Sequence, residues 1–246
     1  MPAAARPLDG RVALVAGASR GIGAAASVAL AEAGAHCVLV ARTVGALEAL
    51  DNRVKAVGGD ATLVPLDLCD GAGVDRLGAA LHERFGRLDA LLGNAAMLGA
   101  LTPATHTEPA TFEQTLATNV TANFRLIRSM EPLLRASDAG RAVFLTSGVA
   151  RRVVPFWSAY AASKAALEML VLTWAAEIAG GSLRVNLYNP GPTRTAMRAG
   201  AFPGEDPQSL PPPERHGPAL VRLLSPACTM HGQWVAGDLD APATVN

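Results

Sequence analysis

Charge of either sign, aromatic side chains and cysteine are all in short supply in this chain, and each scarcity removes a class of function. Lys and Arg number 21, as do Asp and Glu, so the formal net charge is zero. No basic surplus points to nucleic acid, and no acidic surplus marks a disordered tail. The three cysteines (Cys37, Cys69, Cys228) are odd in number and far apart. With no CxxC and no Cys/His cluster, neither a disulfide framework nor a zinc site is expected. The five histidines are scattered without ligand spacing, so no metal is expected. No apolar run is long enough to span a bilayer, and residues 1–7 carry no apolar stretch of signal-peptide length. The expectation is a cytoplasmic protein with neither membrane nor nucleic-acid partner. Tyrosine and lysine are rarest in a useful way. There are two of each: Tyr160 and Tyr188, Lys55 and Lys164.

Half of the 246 residues are hydrophobic, mostly Ala, Val and Leu, with 24 glycines. That is enough for one large core and suits a single α/β domain over residues 1–246. Residues 11–16 read as a short buried strand. The turn Gly17-Ala18-Ser19-Arg20-Gly21-Ile22-Gly23 follows, then a helix over 22–33 stopped by Gly34, then a second strand over 36–41. Neither strand alternates apolar with polar, as expected of parallel strands covered on both faces. Further strands are expected at 61–65, 88–93, 142–146, 183–188 and 232–235. Helices are expected at 43–57, from about 71 to 85, over 111–135, from about 158, and ending at 220–224. Right-handed crossovers assemble such units into a Rossmann-like, doubly wound parallel sheet with three α/β/α layers.

Chemistry gathers where strands end. Tyr160 and Lys164 are four apart at the start of a helix, so both project from one face. A nearby ammonium favours the phenolate, and general acid–base work wants a pKa close to working pH. Ser147 ends the preceding strand and can hold a carbonyl oxygen beside Tyr160. The glycines of the first turn let a pyrophosphate meet backbone N–H groups at a helix start. The second strand ends in Ala41 and Arg42, where an acidic residue would mark NAD. With Arg20 in the turn, two guanidinium groups suit the 2′-phosphate of NADP. Asp67, past the third strand, either accepts from an adenine amino group or caps the next helix. Asn94 follows the fourth strand. Asn119, in the middle of the 111–135 helix, can open that helix and hold a water. Residues 193–213, rich in proline, read as an irregular lid bearing Met197 and Phe202.

Taken together, Gly17-x-x-x-Gly21-x-Gly23, Asn94-Ala95, Asn119, Ser147, Tyr160-x-x-x-Lys164 and Pro190-Gly191 resemble the short-chain dehydrogenase/reductase family over residues 8–237. The resemblance implies hydride exchange between a nicotinamide and a carbonyl or alcohol carbon of a small substrate. It implies Tyr160 as acid/base, Ser147 orienting the carbonyl oxygen, Lys164 on the nicotinamide ribose, and Asn119 holding a relay water. The implied cofactor site comprises Gly17, Ser19, Arg20, Gly21, Ile22, Gly23, Arg42, Asp67, Leu68, Asn94, Ala95, Tyr160, Lys164, Pro190, Gly191 and Thr193. It also implies a homo-oligomer, most often a tetramer, built on the helices holding Asn119 and Tyr160. Leu167, Leu170, Val171 and Trp174 are read as apolar surface for that assembly. Three stretches depart from the family pattern: Ala16 for Thr, Gly93 and Ala96 in an Asn-Asn-Ala-Gly stretch, and Gly148 after the serine. Alternatives on the same fold are a catalytically silent NADP-binding regulator and an enoyl reductase or epimerase.

Overall fold

The computed structural model describes residues 6–237. Residues 1–5 and 238–246, which the single-domain expectation also covered, lie outside the described residues. Seven parallel strands form one sheet in the order β3-β2-β1-β4-β5-β6-β7. They are β1 (Val12–Ala16), β2 (His36–Ala41), β3 (Asp60–Pro65), β4 (Ala90–Gly93), β5 (Arg141–Leu145), β6 (Arg184–Asn189) and β7 (Trp234–Ala236). The helices are α1 (Gly21–Glu32), α2 (Val44–Ala56), α3 (Gly71–Phe85), α4 (Pro109–Leu116), α5 (Ala122–Ala136), α6 (Ser158–Glu177), α7 (Ala196–Ala201) and α8 (Gly217–Leu224).

Successive strand residues point to opposite faces, and here both faces are covered. Ala13, Val15, Leu39, Leu92 and Val143 pack against α1, α2 and α8. Leu14, Val38, Leu91, Phe144 and Leu187 pack against α3, α5 and α6. This explains why the strands read as unbroken apolar runs. The order reverses between β1 and β4, and ligands of such sheets bind outside the carboxyl ends of the strands at that switch. The glycine-rich turn follows β1 there, and Asn94 follows β4.

Three expectations change. The helix expected over 111–135 starts at Pro109 and is broken by a π-helical turn, Ala117–Thr121, centred on Asn119. Such turns insert one residue into the helical ladder and recur at functional sites. The segment 193–213 is not wholly irregular, because residues 196–201 precede its first proline and form α7, capped by Thr195. Leu167, Val171 and Trp174 are not assembly surface. They are buried against the sheet, at 0%, 0% and 4% exposure, and Leu170 packs against the same cluster. The large exposed apolar groups on these helices are instead Phe112, Phe124 and Met169. No helix among the described residues is long and apolar enough to cross a membrane.

Candidate active site

The first turn leaves β1 with Gly17 at φ 79°, a conformation that favours glycine. Gly17 N–H and Ala18 N–H both donate to Val40 O, so the turn rests on the end of β2. Asn94 ties it to β4, donating from Nδ2 to Gly17 O at 2.7 Å. No side chain fits inside the turn. A Cβ on Gly23 would stand 2.3 Å from Gly17 O and 2.5 Å from Asn94 Nδ2, and one on Gly17 would meet Ala95 Cα at 2.7 Å. Helix α1 opens at Gly21 with no side chain capping its first turn. A glycine-walled concavity at the start of a 12-residue helix fits a pyrophosphate held by backbone N–H groups.

Ala41, Arg42, Asp67 and Leu68 flank this turn. No carboxylate ends β2, and Arg42 is exposed, 3.9 Å from Asp67 Oδ2. Asp67 does not cap α3. Its Oδ1 accepts from Cys69 N, whereas Asp70 accepts from Gly73 N as the cap. Capping needs the residue immediately before the helix, and that is Asp70. The exposed Arg20 precedes α1. The Gly93 departure has a packing reason: a Cβ there would fall 2.2 Å from the Phe144 ring.

Ser147 ends the chain run from β5, and Tyr160 lies in the first turn of α6. Both line a cavity of about 450 Å³ with Leu98, Val154, Trp157, Met197 and Phe202. Burial pushes the Tyr160 phenol up to about 12, and a hydrogen bond with Ser147 opposes that rise. Lys164 is buried beneath, its ammonium 5.8 Å from the Tyr160 ring centroid. Its Nζ donates to Leu145 O at 2.8 Å rather than to the phenol. Burial pulls it down to about 8, and the charge of Glu168 works against that fall. Trp157 meets Tyr160 edge-on at 5.9 Å and Phe202 at 5.8 Å. Just before Trp157, Phe156 is the one non-glycine among the described residues with positive φ, 73°.

Asn119 joins this group through its side chain. Its Oδ1 accepts from Met97 N, and its Nδ2 donates to Met97 O and to Ser163 Oγ at 2.9 Å. Ser163 in turn donates to Tyr160 O, so the loop after β4 is fastened to α6. The Asn119 carbonyl accepts from Asn123 Nδ2 at 2.8 Å. On the far side, Gly191 and Thr193 follow β6, and Thr195 comes close enough that a Cβ on Gly21 would touch it.

The structure adds residues that the sequence reading passed over. His216 bridges Tyr188 OH at 2.8 Å and Thr193 Oγ1 at 2.9 Å. Burial and the nearby Arg215 charge lower its pKa, so the imidazole is held neutral. Arg198 binds both oxygens of Glu205 and stacks on Phe202 at 3.7 Å, bracing the segment after β6. Glu168 accepts from Thr146, Arg151 and Trp234. Nothing local in sequence marks these hydrogen-bond partners, which lie 7 to 66 residues apart.

Known proteins are similar to this chain in sequence and fold. The short chain dehydrogenase family profile matches residues 11–206. The Escherichia coli K12 oxidoreductase YciK is 40% identical over 220 residues, spanning 88% of this chain and 87% of YciK. A short chain dehydrogenase structure from Pseudomonas syringae superposes with a TM-score of 0.92 at 39% identity, covering 96% of this chain and 98% of that one. An Escherichia coli short chain dehydrogenase complexed with NADPH gives 0.90 at 36% identity, covering 96% and 99%. With the seven-stranded parallel sheet and the glycine-rich turn, these matches show that the chain belongs to the short-chain dehydrogenase/reductase family of oxidoreductases.

Proposed function

We propose that this protein is an NADP-dependent carbonyl reductase or alcohol dehydrogenase acting on a small apolar or mixed substrate, with Tyr160 as acid/base. One observation carries the reading: Ser147 and Tyr160 face one cavity, walled mostly by apolar side chains but also by Arg152 and Arg198, with Lys164 buried behind the phenol and Ile22 of the glycine-rich turn on its wall. The cofactor, when bound, supplies or accepts the hydride. The chain's residues do the rest. With no side chains at Gly17, Gly21 and Gly23, phosphates can reach the backbone N–H groups at the start of α1, with Ser19, Ile22, Asn94 and Ala95 completing that wall. Arg20 and Arg42 pair with the 2′-phosphate, while Asp67 and Leu68 border the adenine. Lys164 binds the nicotinamide ribose, and Pro190, Gly191 and Thr193 border the nicotinamide. In reduction Ser147 donates to the carbonyl oxygen, and Tyr160 passes its proton to that oxygen. A phenol that keeps its proton in the buried site is suited to that acid role, and the Lys164 ammonium stabilises the phenolate left behind. Asn119 fastens the loop after β4 to α6. Trp157, Phe202, Val154 and Met197 supply apolar walls that exclude water and strengthen these polar contacts.

NADPH consumption across a panel of ketones and aldehydes tests the reading. Turnover is expected on apolar or aromatic carbonyls. Tyr160→Phe is expected to bind NADPH as the native protein does and to lose at least about 10²-fold in kcat, the scale of a general acid. Turnover within a few-fold of native would remove Tyr160 from the chemistry. Tight NADPH binding with no turnover on any carbonyl would favour the silent regulator.

A further inference from the structure

Lys164 is a cation held in an unfavourable place. It is 2% exposed, and its ammonium donates to a single neutral acceptor among the described bonds, Leu145 O. Burial of an ammonium without a compensating charge disfavours the charged form. One turn further along α6, and therefore on the same face, stands Glu168, itself only 6% exposed. Its carboxylate is held by three elements. Oε1 accepts from Thr146 Oγ1 at 2.6 Å and from Trp234 Nε1 at 2.9 Å, and Oε2 accepts from Arg151 Nε at 2.7 Å. Thr146 immediately precedes Ser147, and Arg151 closes the short turn that begins at Ser147. Arg151 also lies over the Trp234 ring at 4.9 Å. Three donors from three segments thus converge on a carboxylate that stands one turn of α6 from Lys164.

We propose that Glu168 is a positioning residue that supplies the counter-charge for the buried Lys164 ammonium while clamping both ends of the turn that carries Ser147. The proposal rests on the reading of Tyr160 and Lys164 given above, and it adds a third member to their helix face: Tyr160, Lys164, Glu168. The groups that bear on Lys164 are few. Its own helix presents Tyr160 and Glu168, and β5 presents the Leu145 carbonyl. The turn after Ser147 brings Arg151, which is bound to Glu168. The sign follows. Removing the carboxylate removes a charge that raises the lysine, so Lys164 should lose its proton at lower pH. Removing Arg151 leaves the carboxylate less neutralised, so Lys164 should keep its proton to higher pH.

The scarcity of lysine makes this directly measurable. With ¹³C-labelled lysine the protein gives two side-chain signals, Lys55 and Lys164, and Lys55→Arg assigns them. The titration is followed by NMR on the full chain without cofactor or substrate. A failure of the oxidoreductase reading would therefore leave this measurement intact. In the native protein the buried lysine should titrate near 8. Glu168→Gln, nearly isosteric, should lower that midpoint by about one pH unit, the scale of a nearby opposite charge. Lys55 serves as the unshifted control. An unchanged Lys164 midpoint in a folded Glu168→Gln protein overturns the proposal, since a purely structural clamp would cost stability without moving the titration. Should that variant not fold, Arg151→Gln decides, because Arg151 is 45% exposed and its loss is better tolerated. A rise of the midpoint supports the counter-charge, and no movement overturns it.

Discussion

Gly23→Ala sets two physical effects against each other. Gly23 lies inside α1, where alanine is the better helix former by about 1 kcal/mol, so helix propensity alone forecasts a more stable protein. The packing forecasts the reverse. The added Cβ would sit 2.3 Å from Gly17 O and 2.5 Å from Asn94 Nδ2, whereas ordinary contact begins at 3.4 Å. Neither neighbour is the free end of a flexible side chain. Gly17 O is backbone held by Asn94, and Asn94 fastens the turn to the end of β4. Relief requires the turn to move or the bond to break. Overpacking costs about 1–3 kcal/mol, and a lost hydrogen bond about 1 kcal/mol more. Set against the propensity gain, the net loss is about 2 kcal/mol, or about 4–8 °C in Tm for a chain of this size. The displaced backbone N–H groups should also weaken NADPH binding at least about tenfold. Thermal melts with and without NADPH, and a fluorescence titration, measure both. Gly200→Ala, with nothing within 4 Å of the added methyl, is the control and should be neutral or slightly stabilising. A Gly23→Ala protein that melts at or above the native temperature and binds NADPH normally would refute the steric account.

Three further outcomes are expected. Native protein should prefer NADPH to NADH by an amount in line with charge-assisted bonds, about 1.5–3 kcal/mol, and Ala41→Asp with Arg42→Ala should reverse the preference; equal dissociation constants in the native protein would defeat the roles of Arg20 and Arg42. Residues 194–210 should exchange amide hydrogens faster without NADPH than with NADPH and substrate, because Arg198–Glu205 and Arg194–Gln208 brace the segment mainly to itself; equal, strong protection in both states would mean a fixed wall. The protein should be a symmetric oligomer, most simply a tetramer, and Phe124→Glu with Met169→Glu should lower its mass in light scattering, since these exposed apolar groups lie on α5 and α6; a native monomer at micromolar concentration would end that expectation.

Much of the fold was readable along the chain because its signals are local. Apolar runs, glycine stops and the strand–turn–helix order depend on neighbours a few residues apart, and the strands lie within one or two residues of expectation. The spacing of Tyr160 and Lys164 is likewise a property of one helix. What one helix does not contain is the identity of its partners. Leu167, Val171 and Trp174 look the same in sequence whether they face a sheet or a second subunit, and packing alone assigned them to the sheet. Asn119 was visible as an odd residue in a helix, but its bonds to Met97 and Ser163 span 22 and 44 residues. Glu168 reads as an ordinary polar position on α6 until the sheet brings Thr146 and Trp234, 22 and 66 residues away, onto its carboxylate. His216 was one scattered histidine until the chain end folded back to set it between Tyr188 and Thr193. Periodicity and turn chemistry act over a few residues and are written in the sequence. The satisfaction of a buried polar group is decided only where distant segments meet, because there each donor must find its acceptor without water.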